Sequence, residues 1–222
     1  MHEDRLHTLF DISYGCLRRK INGGRIKVEN EASLQLHFAA ILKVMGELLE
    51  AESDEYFSIE LEKPVLLREG TFGKSGSSKA KIDIFVSYNN TRTGHKQSCA
   101  IELKYFKYEN HREPNNRYDV FRDIHNLENY GDFADLGYLV VATNHNHYVS
   151  QSEYSRDTCD FDFRHGKCYT KGTIASYRTE KCYGPPIILG GSYEFSWDTV
   201  AGGIHFMKLP VAPVGRAATE TE

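Results

Sequence analysis

The chain has 222 residues, of which 40% are hydrophobic and 26% charged, and a formal net charge of −4. That balance suits a folded chain with a buried core and excludes disordered and fibrous classes. No apolar run approaches the ~20 residues a membrane helix needs, Met1-His2-Glu3-Asp4-Arg5 lacks a signal peptide's apolar stretch, and five irregularly spaced cysteines read as free thiols rather than a disulfide set or standard zinc site, so a cytoplasmic protein with no membrane partner is expected.

A first helix is predicted over 4–20, where Leu6, Phe10, Tyr14 and Leu17 recur three or four apart. It ends at Ile21-Asn22-Gly23-Gly24, with Arg18, Arg19, Lys20, Arg25 and Lys27 forming a basic group nearby. Asn30 is a good N-cap for a second helix reaching about residue 50, with an apolar stripe of Leu34, Phe38, Ile41, Leu42, Met45, Leu48 and Leu49. The period then becomes two: Phe57, Ile59 and Leu61 alternate with Ser58, Glu60 and Glu62 in a half-buried strand. Residues 70–79 are rich in glycine and serine and read as a flexible loop, within a second basic group of Lys63, Arg68, Lys74, Lys79 and Lys81. Strands at 81–88 and 97–105, joined by the turn-rich segment 89–96, read as a hairpin.

A third helix is predicted over about 117–131, with Val120, Phe121, Ile124 and Leu127 on one side. The apolar run 137–142 has the pattern of a strand buried on both faces. Short strands are expected near 167–177, 186–189, 192–197 and 203–209, and a disordered tail over 210–222. The expected architecture is α/β (α+β): a central mixed β-sheet flanked by helices in a single domain over 1–209. Its αβββαβ core covers about 30–142, followed by a β-rich elaboration at about 155–209.

The hairpin carries the chemistry. With its connector centred between Arg92 and Thr93, Asp83 falls opposite Glu102, which puts both carboxylates on one face with Cβ atoms about 5 Å apart. Lys104, two residues on, shares that face. The opposite face, Ile82, Ile84 and Val86 against Cys99, Ile101 and Leu103, is wholly apolar and is predicted to be core. Two like charges opposed on a sheet destabilise it, and partial burial forces one to keep a proton. A divalent cation removes that conflict, since magnesium takes a few carboxylate oxygens and completes its shell with water and phosphate. A lysine beside it can hold or deprotonate an attacking water and counter charge developing on phosphorus. The plain alternative is a Glu102–Lys104 surface ion pair beside an unrelated solvated Asp83.

Asp83 on one strand followed by Ile101-Glu102-Leu103-Lys104 on the next resembles the PD-(D/E)xK nuclease superfamily, with Ile82 in place of the motif's proline. The element order across 30–142 is similar to that superfamily's restriction-endonuclease-like core, so the resemblance covers roughly half of the chain. It implies a Mg²⁺-dependent nuclease, with Mn²⁺ able to substitute, in which Asp83 and Glu102 hold the metal and Lys104 lies beside the attacking water. It also implies a glutamate from the first core helix. Glu31 matches that position, with Gln35 one turn on, although the helix dipole favours an acid there anyway.

Lys107 and Arg122 are further candidates for supporting or phosphate contacts, and Arg112 lies nearby. His145-Asn146-His147 spells H-N-H without the spacing of that nuclease motif and reads as a polar strand-end loop that can edge the same cleft. Gly73-Lys74-Ser75 fails as a P-loop because Arg68 stands where the earlier glycine belongs. The expected function is a Mg²⁺-dependent DNA endonuclease of restriction or defence type, acting on double-stranded DNA rather than RNA and forming a homodimer if both strands are cut. The alternatives are a structure-selective repair or recombination nuclease and a non-catalytic nucleic-acid-binding module.

Overall fold

The structure is a computed structural model that describes residues 3–66 and 79–214. The expected glycine-rich loop, together with Arg68 and Lys74, lies outside the described residues, as does 215–222.

The first helix, α1 (Glu3–Asn22), and the second, α2 (Glu31–Leu48), lie where the apolar periodicity puts them. Asn30 caps α2: its side chain accepts from the Ser33 amide, and the Ser33 hydroxyl accepts from the Asn30 amide. This capping box satisfies two otherwise orphaned donors. Leu34, Phe38 and Leu42 of the predicted stripe are buried, but Leu48 at the last turn is 72% exposed.

Three strands follow, β1 (Glu55–Leu66), β2 (Lys79–Asn90) and β3 (Lys96–Phe106), then helix α3 (Glu113–Glu128) and strand β4 (Leu136–Thr143). The C-terminal part contributes short strands β5 (Cys168–Tyr169), β6 (Ile174–Ala175), β7 (Ile187–Ile188), β8 (Tyr193–Glu194) and β9 (Trp197–Asp198), and a longer β10 (His205–Val211). A six-stranded mixed sheet runs in the order β1-β2-β3-β4-β10-β9. Only β3 and β4 pair in parallel, connected through α3; the other neighbours are antiparallel. The fold is thus a central mixed sheet with helices, as expected. Pro210 and Val211, assigned to the tail from sequence, instead extend β10 against Tyr138 and Gly137 of β4. Val211 is an apolar residue whose backbone the β4 edge needs, and it is buried.

The sheet is covered on both faces. Leu9, Phe10, Leu17, Leu34, Phe38 and Leu42 from α1 and α2 pack on Ile84, Val86, Cys99, Ile101 and Leu103. Val120, Phe121, Ile124 and Leu127 of α3, with Phe161, Phe163 and Phe195 from the C-terminal part, pack on Phe85, Ala100, Leu139 and Val141 of the other face.

One element of this pattern departs from the predicted hairpin. Ile82 packs with Phe85 and Ala100, not with Ile84 and Val86, and Val65 joins it there. The cause is a break in both ladders. The β1–β2 pairing runs to Leu61↔Ile84 and resumes at Lys63↔Ile82, skipping Glu62 and Asp83. Glu62 has φ of 51°, in the left-handed region that non-glycine residues seldom occupy. The two strands keep their register but reverse their faces at that point. No helix among the described residues is long and apolar enough to cross a membrane.

Candidate active site on the central hairpin

The predicted register holds from Asn89↔Lys96 to Ile84↔Ile101 and stops one pair short of Asp83 and Glu102. Where the ladder ends, Asp83 substitutes its side chain for backbone: Oδ2 accepts from the Leu103 amide at 2.7 Å. Gln35 of α2 closes the break from the other side, its Nε2 donating to the Asp83 carbonyl at 2.6 Å and to Glu62 Oε1 at 3.1 Å. Glu62 and Asp83, both without ladder partners, are therefore held by one amide side chain.

Glu102 and Lys104 share the face of β3 that looks toward α3. Glu102 is only 4% exposed and accepts from the Tyr130 hydroxyl at 3.0 Å. The Lys104 ammonium lies 2.6 Å from Asp123 Oδ2 and 3.8 Å from Glu31 Oε2, and donates to the Leu103 carbonyl at 2.9 Å. The structure thus gathers Asp83, Glu102, Lys104, Glu31 and Gln35 around the end of the hairpin. Glu31 contributes from the rim, its side chain nearly half exposed.

Lys107 and Arg122, the further candidates for supporting or phosphate contacts, are both paired with acids. Lys107 pairs with Glu29 at 3.3 Å. Arg122 binds Asp119 within its own helix at 2.9 Å and approaches Asp123 at 3.8 Å, so its charge is already matched by acids of α3. Several residues of the two basic groups are likewise engaged: Arg18 with Asp198, Lys27 with Glu29, Lys63 with Glu60 and Lys81 with Glu62.

Sequence reasoning passed over Asp123 and Tyr130. Asp123 is 4% exposed on a helix whose buried side carries Val120, Ile124 and Leu127. An acid three residues after one core position and four before another falls on the apolar stripe, and a buried acid is an informative exception to the usual partition. That spacing was the available signal.

The electrostatics follow from burial and crowding. Burial pushes the Asp83 carboxyl up to about 6, opposed by the Lys104 charge and the Leu103 amide and reinforced by Asp123 and Glu31. Glu102 is driven well above the usual carboxylate range by burial, then by Asp83 and Asp123. Lys104 is raised as well, but by the opposite balance: burial pulls it down, and Asp123, Glu31, Asp83 and Glu102 together hold it well above its ordinary value. The site is a cluster of acids around one permanently charged ammonium, with two carboxylates that resist simultaneous ionisation.

Asp83 and Glu102 are chemically suited to share a hard divalent cation. Among the described residues no group of three His, Cys, Asp or Glu side chains is arranged to hold a metal unaided. The five cysteines are all free. His145 and His147 lie outside this cluster, beside the N-terminal end of α3, where His145 Nε2 meets Glu113 Oε1 at 3.2 Å.

Compared with protein-family models, curated proteins and solved structures, the chain matches none. The nuclease resemblance accordingly rests on the motif and the order of elements.

Proposed function

We propose that this chain is a Mg²⁺-dependent endonuclease that hydrolyses phosphodiester bonds in DNA, of restriction or defence type. The observation that carries the reading is the pair Asp83 and Glu102, both forced toward protonation by burial, Glu102 pushed further by Asp83, beside a lysine held as a cation. A pair of buried acids in conflict is costly to maintain without a ligand, and perturbed groups of this kind concentrate at functional sites.

In this reading Asp83 and Glu102 would hold the cation, with Asp83 oriented by the Leu103 amide and Glu102 by the Tyr130 hydroxyl. Bound there, magnesium supplies charge neutralisation for the phosphoryl oxygens and acidifies a coordinated water. Lys104 does not serve as the base, because its acidic neighbours keep it protonated. It orients the attacking water and offsets negative charge on the phosphorus in the transition state. Asp123 positions the ammonium, Tyr130 orients Glu102, and Gln35 fixes the backbone at Asp83. Glu31, at the rim and 3.8 Å from the ammonium, adjusts the charge balance of the cleft.

The test is cleavage of supercoiled plasmid with Mg²⁺, with EDTA and with the Lys104→Ala variant. Metal-dependent nicking or linearisation abolished by Lys104→Ala is expected, and discrete fragments point to sequence-specific cutting. Absence of cleavage of plasmid, branched DNA and RNA by folded protein that still binds DNA sinks the catalytic reading in favour of a binding module.

A further inference from the structure

A cavity of about 430 Å³ opens at the N-terminal end of α3, lined by Tyr108, His111, Glu113, Arg117, His145 and His147 among others. None of the acidic-cluster residues lines it. Its walls come from the segment after β3, the first turns of α3 and the 3-10 turn Asn146–Tyr148 after β4. These are the carboxyl ends of the parallel strand pair, the place where open α/β sheets take ligands.

The wall is built around an unsatisfied cation. Arg117 is 1% exposed, its guanidinium lies 3.9 Å over the ring of Tyr154, and its Nε donates to the Glu113 carbonyl at 3.3 Å. Its Nη1 is buried with no hydrogen-bond partner. A buried guanidinium nitrogen without an acceptor carries a desolvation cost that an anion would relieve. His147 Nε2 and the Tyr154 hydroxyl are also buried without partners, and their rings stack with centroids 5.0 Å apart. Three unpaired polar groups thus gather behind one wall.

The surrounding charge agrees. The start of α3 has no side-chain cap, since Arg112 at the cap makes no such bond, and Pro114 of its first turn, also in the wall, has no amide to offer, so the helix contributes its dipole rather than a set of free amides to the cavity mouth. Glu113, the acid named in the wall, is engaged by His145. A phosphate offers three strong acceptor oxygens, which suit a guanidinium and imidazole N–H groups converging from different directions better than a planar carboxylate does. The volume exceeds what a bare anion needs and falls in the range of small-molecule clefts. Tyr108, 60% exposed, stands edge-on to His145 at 4.9 Å, leaving ring surface on which a base can stack.

We propose that this cavity is a second ligand site that takes the phosphomonoester of a nucleotide, with its phosphate toward Arg117 and His111 and its base against the Tyr108 and His145 rings. A free mononucleotide and the 5′-phosphorylated end of a strand share that chemistry. The inference uses no residue of the acidic cluster and stands independently of the nuclease reading.

Calorimetric titration of the full chain with AMP, adenosine, inorganic phosphate and a trinucleotide with or without a 5′-phosphate tests it, each variant being checked by circular dichroism melting. The expected result is saturable binding of a phosphorylated probe at least about tenfold tighter than its unphosphorylated counterpart, a contrast suited to charge-assisted contacts. Arg117→Met is expected to abolish that preference. Because Arg117 is buried, His111→Ala and Tyr108→Ala at exposed positions provide a second arm: the first weakens every phosphorylated ligand, the second weakens AMP but not inorganic phosphate. AMP binding as well as the phosphorylated trinucleotide identifies a free nucleotide, and preference for the trinucleotide identifies a strand end. Equal affinity for AMP and adenosine with no preference between the trinucleotides, no saturable binding up to about 10 mM ligand, or folded His111 and Tyr108 variants with unchanged affinities would overturn the proposal.

Discussion

Replacing Asp83 with asparagine is expected to stabilise the metal-free protein at neutral pH. Burial raises the Asp83 carboxyl from its ordinary 3.8 to about 6, and each pKa unit corresponds to 1.36 kcal/mol, so holding it ionised in the folded state costs about 3 kcal/mol. Folding favours the protonated form of a carboxyl raised in this way. The penalty is therefore absent below its unfolded value, grows between pH 4 and 6, and is complete above the folded value. Asparagine retains an oxygen for the Leu103 amide, and the charge assistance that bond loses is already contained in the net shift. The gain of about 3 kcal/mol corresponds to a Tm increase of roughly 6–12 °C for a chain of this size. Thermal unfolding in EDTA at pH 4 and pH 7.5 measures it: the variant should melt higher at pH 7.5 and no higher than wild type at pH 4. A variant destabilised equally at both pH values would refute the reasoning, because Asp83 would then bear no electrostatic strain.

Magnesium affinity, read by calorimetry, should fall as pH drops below about 6, where Asp83 takes up its proton, by up to tenfold per pH unit for each proton displaced; affinity independent of pH from 5 to 8 contradicts Asp83 as a ligand. Asp123→Ala leaves the Lys104 ammonium without its partner at 2.6 Å and should cost about 3–5 kcal/mol in urea unfolding, the range for breaking a buried pair; a loss below about 1 kcal/mol shows that water replaces the carboxylate. Gly46→Ala puts a methyl 2.5 Å from the Phe57 ring and should destabilise by about 1–3 kcal/mol despite alanine's better helix propensity. Phe57→Leu in the same chain should recover part of that loss, and failure to do so separates ring crowding from a backbone effect.

Much of the fold was legible because its signals are local. The apolar period of α1 and α2, the Asn30 cap and the turn centred near Arg92 each depend on neighbouring residues, and the turn set the register that β2 and β3 keep from Asn89↔Lys96 to Ile84↔Ile101. The end of the chain was less legible. Pro210 and Val211 were assigned to the tail, yet β10 borders β4 along its length and its pairing to β9 is confined to Phe206 and Met207. Proline is tolerated where a neighbouring strand does not require its amide. Leu48 was assigned to the buried stripe from its periodicity, but it is the last residue of α2 and is 72% exposed.

The site was legible in its motif and hidden in its construction. A regular hairpin would place Asp83 in direct ladder opposition to Glu102, with Ile82 in the same core as Ile84. Instead, the left-handed backbone at Glu62 rotates the outer arm of β1 and β2, sends Val65 and Ile82 to the opposite core and releases Asp83 from both ladders. Backbone strain of this kind costs about 1–3 kcal/mol and persists where surrounding contacts over-determine it. Gln35 supplies such contacts by bonding to both residues at the break. Once freed from the ladder, Asp83 can direct one oxygen to the Leu103 amide and leave the other for a ligand. Asp123, arriving from α3, holds the lysine charged. No pairwise rule for strands contains that arrangement, because it requires α2 to clamp the backbone and α3 to supply the countercharge.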